Sequence, residues 1–322
     1  MTDVEDPQIE PYDRDLRPDG PLTGEVLLND PRLVERSRRP GPVQRLRNVM
    51  QYHELLGNLV RLELKVKYKN SILGFFWSLL NPAMYLVVFG VVFGVFLPNG
   101  IPQFAVFLLA GLLVWNFFSA ALSAGAGSIV GNASLVTKVW FPREILPLAS
   151  LGAAGVHLLL QSVVLLGALA VFHRVPSAEF APLILPAVLV LIVVTAAFSI
   201  ALAAVNVYLR DTQHLLELTL IAWFWGSAIV YGFGPVTQRL AEQGVPDWVF
   251  LLNPIVPIVL VFQRVFYNPT IWTPGNKGYV LPDHPVNWYL GVLGLVFIAS
   301  MALLVGALAV FGRLEDNFAE EI

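Results

Sequence analysis

From Ser71 to Thr137, 67 consecutive residues contain no Asp, Glu, Lys or Arg, and the main break in the run is the turn-like Pro98-Asn99-Gly100-Ile101-Pro102. A helix needs about 20 apolar residues to cross the hydrocarbon of a bilayer, so this stretch predicts two spans, at about residues 73–97 and 104–128. Later apolar runs predict spans at about 145–172, closed by His173-Arg174-Val175-Pro176, and at about 182–207, closed by Arg210-Asp211. Two more follow at about 215–234 and 288–311. The pattern is that of an all-α membrane protein with six transmembrane helices in a domain covering 71–312, followed by a short polar tail, 313–322.

Residues 248–268 are apolar enough to imitate a seventh span, but Asn253-Pro254 and Pro257 interrupt them and Gln263-Arg264 lies near their end. A charged Arg at the centre of a spanning helix costs about 2.5–3.5 kcal/mol on insertion scales. Two re-entrant half-helices, at about 237–250 and 255–268, fit this composition better than a crossing. Leu79-Leu80-Asn81-Pro82 recurs as Leu251-Leu252-Asn253-Pro254, and at both places Asn is expected to cap a helix that Pro begins.

Upstream of the first span, Leu46, Val49, Met50, Leu56, Val60 and Leu64 follow helical spacing within residues 43–70, while Arg61, Lys65 and Lys69 form a basic row. Glu63 and Lys67 are spaced as an i,i+4 ion pair, and Gly57-Asn58 is the candidate break. The pattern predicts an amphipathic interfacial helix with Arg61, Lys65, Lys67 and Lys69 toward anionic headgroups of the membrane lipid; the alternative is a basic flank that only fixes topology. Between spans two and three, Leu135, Val136, Val139 and Trp140 give a small apolar face, with Asn132 or Ser134 able to cap the short helix that carries it. That face either docks a cytosolic subunit or lies on headgroups with Trp140 as its anchor.

Composition narrows the classes. Charged residues are 13% and hydrophobic residues 56% of the chain, which excludes a typical soluble enzyme. The absence of cysteine rules out disulfides, thiol nucleophiles and Cys-ligated metal, and five scattered histidines give no metal site. Sixteen of the twenty Lys and Arg fall on the side that holds both termini in a six-span topology, so both termini are expected in the cytoplasm and the protein in the cytoplasmic (inner) membrane as a multi-pass chain. Residues 1–42 are acidic and Pro-rich without an apolar core of a signal peptide, and are expected to be a disordered cytoplasmic tail. No G-x-x-x-x-G-K-[ST] is present, so nothing here cradles nucleotide phosphates, and no nucleic-acid partner is expected.

Several segments in order resemble one family. Arg61 to Pro82 (RLELKVKYKNSILGFFWSLLNP), the loop NASLVTKVWFPREILP, Val207-Tyr208-Leu209-Arg210-Asp211 and the tail FGRLEDNFAE are similar to the membrane subunits of ABC-2-type polysaccharide exporters, which handle O-antigen, teichoic acid, galactan and related lipid-linked glycans. The resemblance covers about 45–320. It implies an interfacial N-terminal helix, a coupling helix after span two, and two outer gate helices before span six. It also implies a homodimer, two cytosolic ATPase subunits that bind ATP and Mg²⁺ in place of any cofactor in this chain, and a lipid-linked glycan as cargo. Carried over, the coupling role falls on Asn132, Ser134, Leu135, Val136, Lys138, Val139, Trp140, Arg143 and Glu144, and the outer gate on Asn253, Pro254 and Arg264.

A glycan conduit needs a lining along which sugars slide, and aromatic faces pack on sugar C–H faces with little orientational demand. Phe76, Trp77, Tyr85, Trp115, Phe118, Trp223, Trp225 and Tyr231 are the candidates. His157, with no membrane carboxylate near it in the pattern, is expected to make an interhelical polar contact. A membrane-embedded glycosyltransferase or phosphatase would need clustered carboxylates that this chain lacks, and a secondary transporter would show buried ion-binding groups or repeat symmetry. Within the ABC class, an exporter of a drug or simple lipid is the alternative.

Overall fold

The computed structural model describes residues 41–96, 100–268 and 280–322. The expectations for the first 40 residues and for the turn at 97–99 lie outside them. Helices account for all regular structure among the described residues. Four are long and apolar enough to cross a membrane: α4 (Phe104–Gly131), α6 (Ile145–Val171), α7 (Ile184–Tyr208, entered through a 3₁₀ turn at Ala181–Leu183) and α12 (Val286–Leu314). The chain starts with α1 (Pro42–Gln51) and α2 (His53–Tyr68), followed by α3 (Phe76–Val91), which runs on into a π-helical turn, Val92–Phe96. The remaining helices are short: α5 (Ala133–Lys138), α8 (Thr212–Trp225), α9 (Phe233–Glu242), α10 (Trp248–Leu251), α11 (Ile255–Phe266) and α13 (Phe318–Glu321).

The amphipathic segment breaks at Tyr52, not at Gly57-Asn58, which are helical. Asn81-Pro82 does not start a helix either: Pro82 lies inside α3. A proline there removes the N–H that would bond the Ser78 carbonyl, at a cost of roughly 3 kcal/mol. At Asn253-Pro254 a helix does begin, one residue later than expected: Pro254 takes the N-cap position before Ile255, and Asn253 Oδ1 accepts from the Ile255 N–H at 3.0 Å.

The first expected half-helix starts earlier and stops sooner than its pattern suggested. α9 ends at Glu242 because Gly244 adopts φ +73°. The Gly244 and Val245 N–H groups then return to the Ala241 and Leu240 carbonyls at 3.0 and 2.8 Å, the paired bonds of a Schellman cap that favours glycine.

α4 is the axis of the packing, buried from Val106 to Phe118 and touching α6, α7, α8 and α11. Gly125 lets α4 approach α7, since a Cβ there would collide with the Ser199 Oγ. α11 is buried from Ile255 to Val265, held among α4, α7 and α12. Between α8 and α9 the backbone is irregular, yet Ser227 to Val230 are fully buried. Asn253 Nδ2 bonds the Gly226 carbonyl at 2.8 Å and Gln263 Nε2 bonds the Ala228 carbonyl at 3.1 Å, so side chains replace the missing helical partners.

The amphipathic α2 lies along α6, not free on a surface. A Cβ at Gly152 would stand 2.6 Å from Val60 Cγ2, so glycine permits the contact. Gly152→Leu is expected to lower stability by about 1–3 kcal/mol through overpacking. Val60→Ala in the same chain should recover most of that loss; thermal unfolding of the purified single and double variants measures both effects.

Candidate functional site

A cleft of about 470 Å³ opens where the C-terminal end of α2 meets α3, α4 and α6. Its wall joins the rings of Trp77, Tyr85, Trp115 and Phe117 to a set of polar side chains, among them Lys67, Tyr68, Ser78, Asn81, Asn116, His157 and Gln161. That volume suits a small-molecule or single-residue ligand. The combination is unusual for charge-free spanning helices, because each polar group placed there costs free energy unless it finds a partner.

The partners are specific. Lys67 Nζ lies 3.2 Å from His157 Nε2. An ammonium can only donate, so Nε2 accepts and the His157 proton belongs on Nδ1. Nδ1 then donates to Ser78 Oγ at 2.9 Å, with Tyr68 OH at 3.1 Å and itself hydrogen-bonded to Ser78. His157 is thus the interhelical contact expected of it, tying α2 and α3 to α6. Asn116 Nδ2 donates to Gln161 Oε1 at 3.0 Å, joining α4 to α6 deeper in the cleft.

Glu63 and Lys67 form no direct ion pair. Glu63 accepts from Ser150 Oγ at 2.8 Å while Lys67 reaches His157. Burial pushes the Glu63 carboxyl up, against the pull of the Ser150 bond and of Lys67, and burial pulls the Lys67 ammonium down against Glu63. Arg61, Lys65, Lys67 and Lys69 are all exposed.

Of the other expected lining residues, Phe118 is fully buried, edge-on to Trp223 at 5.0 Å, and drops out of any open wall. Trp223 is partly buried and donates Nε1–H to Asn253 Oδ1 at 2.8 Å, and Tyr231 donates to the Trp225 carbonyl. Phe76 and Trp225 are more than half exposed on the outer surface, away from the cleft. Sequence reading missed Asn116, Gln161, Ser78 and Asn81; Asn and Gln inside charge-free runs were the available signal.

Arg264 sits at the end of α11, 4.4 Å from the Phe180 ring centroid, with Nη1 bonding the Asn268 carbonyl at 2.7 Å and Nη2 3.5 Å from Asp283. Its charge is therefore held at a helix end. Asn253 uses both ends of its amide, since Oδ1 accepts from Trp223 and Ile255 and Nδ2 donates to Gly226 and Ser227.

At the opposite end of the bundle α5 carries the loop residues. Asn132 donates to the Ser128 carbonyl instead of capping, and Ser134 lies within the helix. Val136 is 3% exposed, packed in the chain's own core, whereas Trp140 is 83% and Val139 53% exposed, beside the exposed Lys138. The free apolar surface is thus Val139 and Trp140, with Leu135 half-buried.

Arg143 donates to the Glu315 carbonyl at 2.6 Å and stands over the Phe318 ring at 5.8 Å. Glu144 pairs with Arg45 of α1, whose guanidinium also holds the Glu315 carboxylate at 2.6 Å. α1, the foot of α6 and the C-terminal segment are thereby tied together. Gly312 completes the fit, because a Cβ there would meet the Arg45 guanidinium at 2.9 Å.

Residues 54–267 match the ABC-2 type transporter family, and the chain belongs to it. It is similar to the O-antigen export system permease protein RfbA of Myxococcus xanthus, 30% identical over 280 residues that span 87% of this chain and all of that protein. The RfbA protein of Klebsiella pneumoniae is 26% identical over 85% of this chain and 96% of its own length. The polysialic acid transport protein KpsM of Escherichia coli is 25% identical over 71% and 88%. The protein is a membrane-embedded ABC-2 permease, and its apolar helices fit that environment.

The Arg45 cluster yields a pH-dependent outcome. Burial pushes the Glu144 carboxyl above its ordinary range, its own backbone N–H and Arg45 pull it down, and Glu315 pushes it up. A raised carboxyl pKa contributes stability that is complete below the ordinary value and is lost as pH rises through the raised one. Arg45→Met removes the compensating cation and raises it further. The variant is expected to lose about 3–5 kcal/mol at pH 8 and clearly less at pH 5, as read from thermal unfolding at both pH values.

Proposed function

We propose that this protein is the transmembrane permease subunit of an ATP-driven exporter that moves a lipid-linked polysaccharide across the cytoplasmic membrane. The observation that carries the reading is the cleft beside α2, where aromatic rings and uncharged amides, with Lys67 beside them, face one space. The names of the relatives, O-antigen export and polysialic acid transport proteins, favour a glycan over a drug or simple lipid. ATP hydrolysis belongs to a separate cytosolic subunit, two copies of which would serve a permease dimer and carry the ATP and Mg²⁺. Teichoic acid and galactan remain within the same cargo class.

Six crossings fit the helices: α3 with its π turn, α4, α6, α7, α8 with the irregular stretch after it, and α12. The Arg45–Glu315 contact puts both described ends of the chain at one end of the bundle, which supports an even number of crossings. α11, at 12 residues and about 18 Å, is too short for about 30 Å of hydrocarbon. Its burial supports a re-entrant outer gate formed with α9 and α10. On this topology both termini, α1, α2 and α5 are cytoplasmic, and 1–42 and 313–322 are cytoplasmic tails. Val139 and Trp140, with Lys138 beside them, form the surface that docks the ATPase.

Two experiments test the assignment. In the Cys-free chain, an impermeant thiol reagent applied to intact cells should label Gln243→Cys and leave Glu320→Cys unmodified; labelling of Glu320→Cys alone would reverse the orientation. Val139→Asp with Trp140→Asp should cut co-purification of the ATPase subunit at least tenfold and abolish glycan export at unchanged membrane abundance. Undiminished recovery of the ATPase would remove Val139 and Trp140 from the docking surface.

A further inference from the structure

Asn116 and Gln161 are each 9% exposed and sit on spanning helices, where an amide pair is expensive to keep. One bond joins them, Asn116 Nδ2–H to Gln161 Oε1. That bond uses one of the four hydrogens on the two amide nitrogens. Asn116 Oδ1 and Gln161 Nε2 have no other partner among the described residues, yet neither is among the side-chain atoms sealed away without one. Both residues line the cleft. The pair therefore presents an acceptor and donors to the cleft space, held in register by the bond between them.

We infer that Asn116 and Gln161 form a sugar-hydroxyl subsite that reads one neutral glycosyl residue in the cleft. A hydroxyl both donates and accepts, so two neighbouring hydroxyls of a sugar ring can give a hydrogen to Asn116 Oδ1 and take one from Gln161 Nε2. Trp77, Tyr85 and Trp115 share the same cavity and offer rings for the apolar face of that sugar. A hydrocarbon ligand would leave the amides unpaired, and a ligand with only anionic groups would leave the rings unused. Asn81, on α3 and open to the cleft, adds a further amide to the wall. The inference rests on the exporter reading for its cargo, but the subsite itself is a property of this chain and can be tested without transport.

The test uses the full-length permease in nanodiscs, alone and with its ATPase, and three probes: octyl β-glucoside, octyl β-galactoside and octyl tetraethylene glycol. The parental protein should bind the two glycosides with different affinities, both tighter than the glycol ether. Gln161→Met and Asn116→Leu keep side-chain volume and remove the free amide groups. Each should weaken glycoside binding about three- to tenfold, the loss of one or two hydrogen bonds, erase the preference between the two glycosides, and leave the glycol ether unaffected. Asn116→Gln, which keeps an amide, should restore part of the affinity.

Unchanged glycoside affinity in both variants overturns the subsite. So does an equal loss for glycosides and glycol ether, which would mark a structural role for the pair. If the variants lose sugar discrimination while cells with the parental protein export no glycan, the subsite stands and the exporter reading fails. If glycan export is normal and glycosides bind no better than the glycol ether, the exporter reading stands and the subsite fails.

Discussion

A peptide group without a hydrogen-bond partner in hydrocarbon costs several kcal/mol, and the architecture of this protein follows from avoiding that. Most of the membrane-facing chain is helix, whose peptide groups pair internally. The irregular stretch Gly226 to Gly232 is not left open: Ser227 to Val230 are sealed inside the protein. Its Gly226 and Ala228 carbonyls are met by Asn253 and Gln263, two side chains in and just before α11, which follows. The irregular stretch and the buried α11 therefore depend on each other. Neither has a stable place at that depth without the other.

The same rule explains where polarity is allowed. Along α4 and α6 the polar side chains Asn116, His157 and Gln161 gather on the shared cleft. Each is bonded to a side chain on another helix, so polarity doubles as interhelical glue. Apolar faces of α6, α8 and α12 elsewhere are left exposed, with Leu159, Val163, Leu218, Leu295 and Ile298 among them, as expected of surfaces made for lipid or a second copy.

How much of this could be read from the chain alone depends on the range of the interaction involved. Runs without charge set α4, α6, α7 and α12 to within a few residues, because hydrophobicity and helix length are local properties. The break at Asn253-Pro254 was legible as an interruption, whereas the helix that follows runs through Pro257 and Arg264 to Phe266. The reading of Asn81-Pro82 as a helix start failed because an identical local motif is overridden when the surrounding run is apolar and long enough to carry the helix through. The cleft was legible in part: Trp77, Tyr85 and Trp115 stood out by type. Asn116 and Gln161 did not, since 45 residues separate them and only the packing of α4 on α6 brings them together. Val136 shows the converse limit, as a six-residue helix has too little periodicity to reveal which apolar residue turns inward.

The link between Arg45 and Glu315 spans 270 residues. A ribosome adds about 5–20 residues per second, so the carboxylate that helps hold α1 emerges on the order of 15–50 s after the arginine it binds. During that interval α1 has Glu144 but nothing from the carboxy-terminal segment. A segment made late thus closes a structure made early. A chain truncated before Gly312 would retain the apolar runs of α4, α6, α7 and most of α12, but would leave α1 without its contact to Glu315.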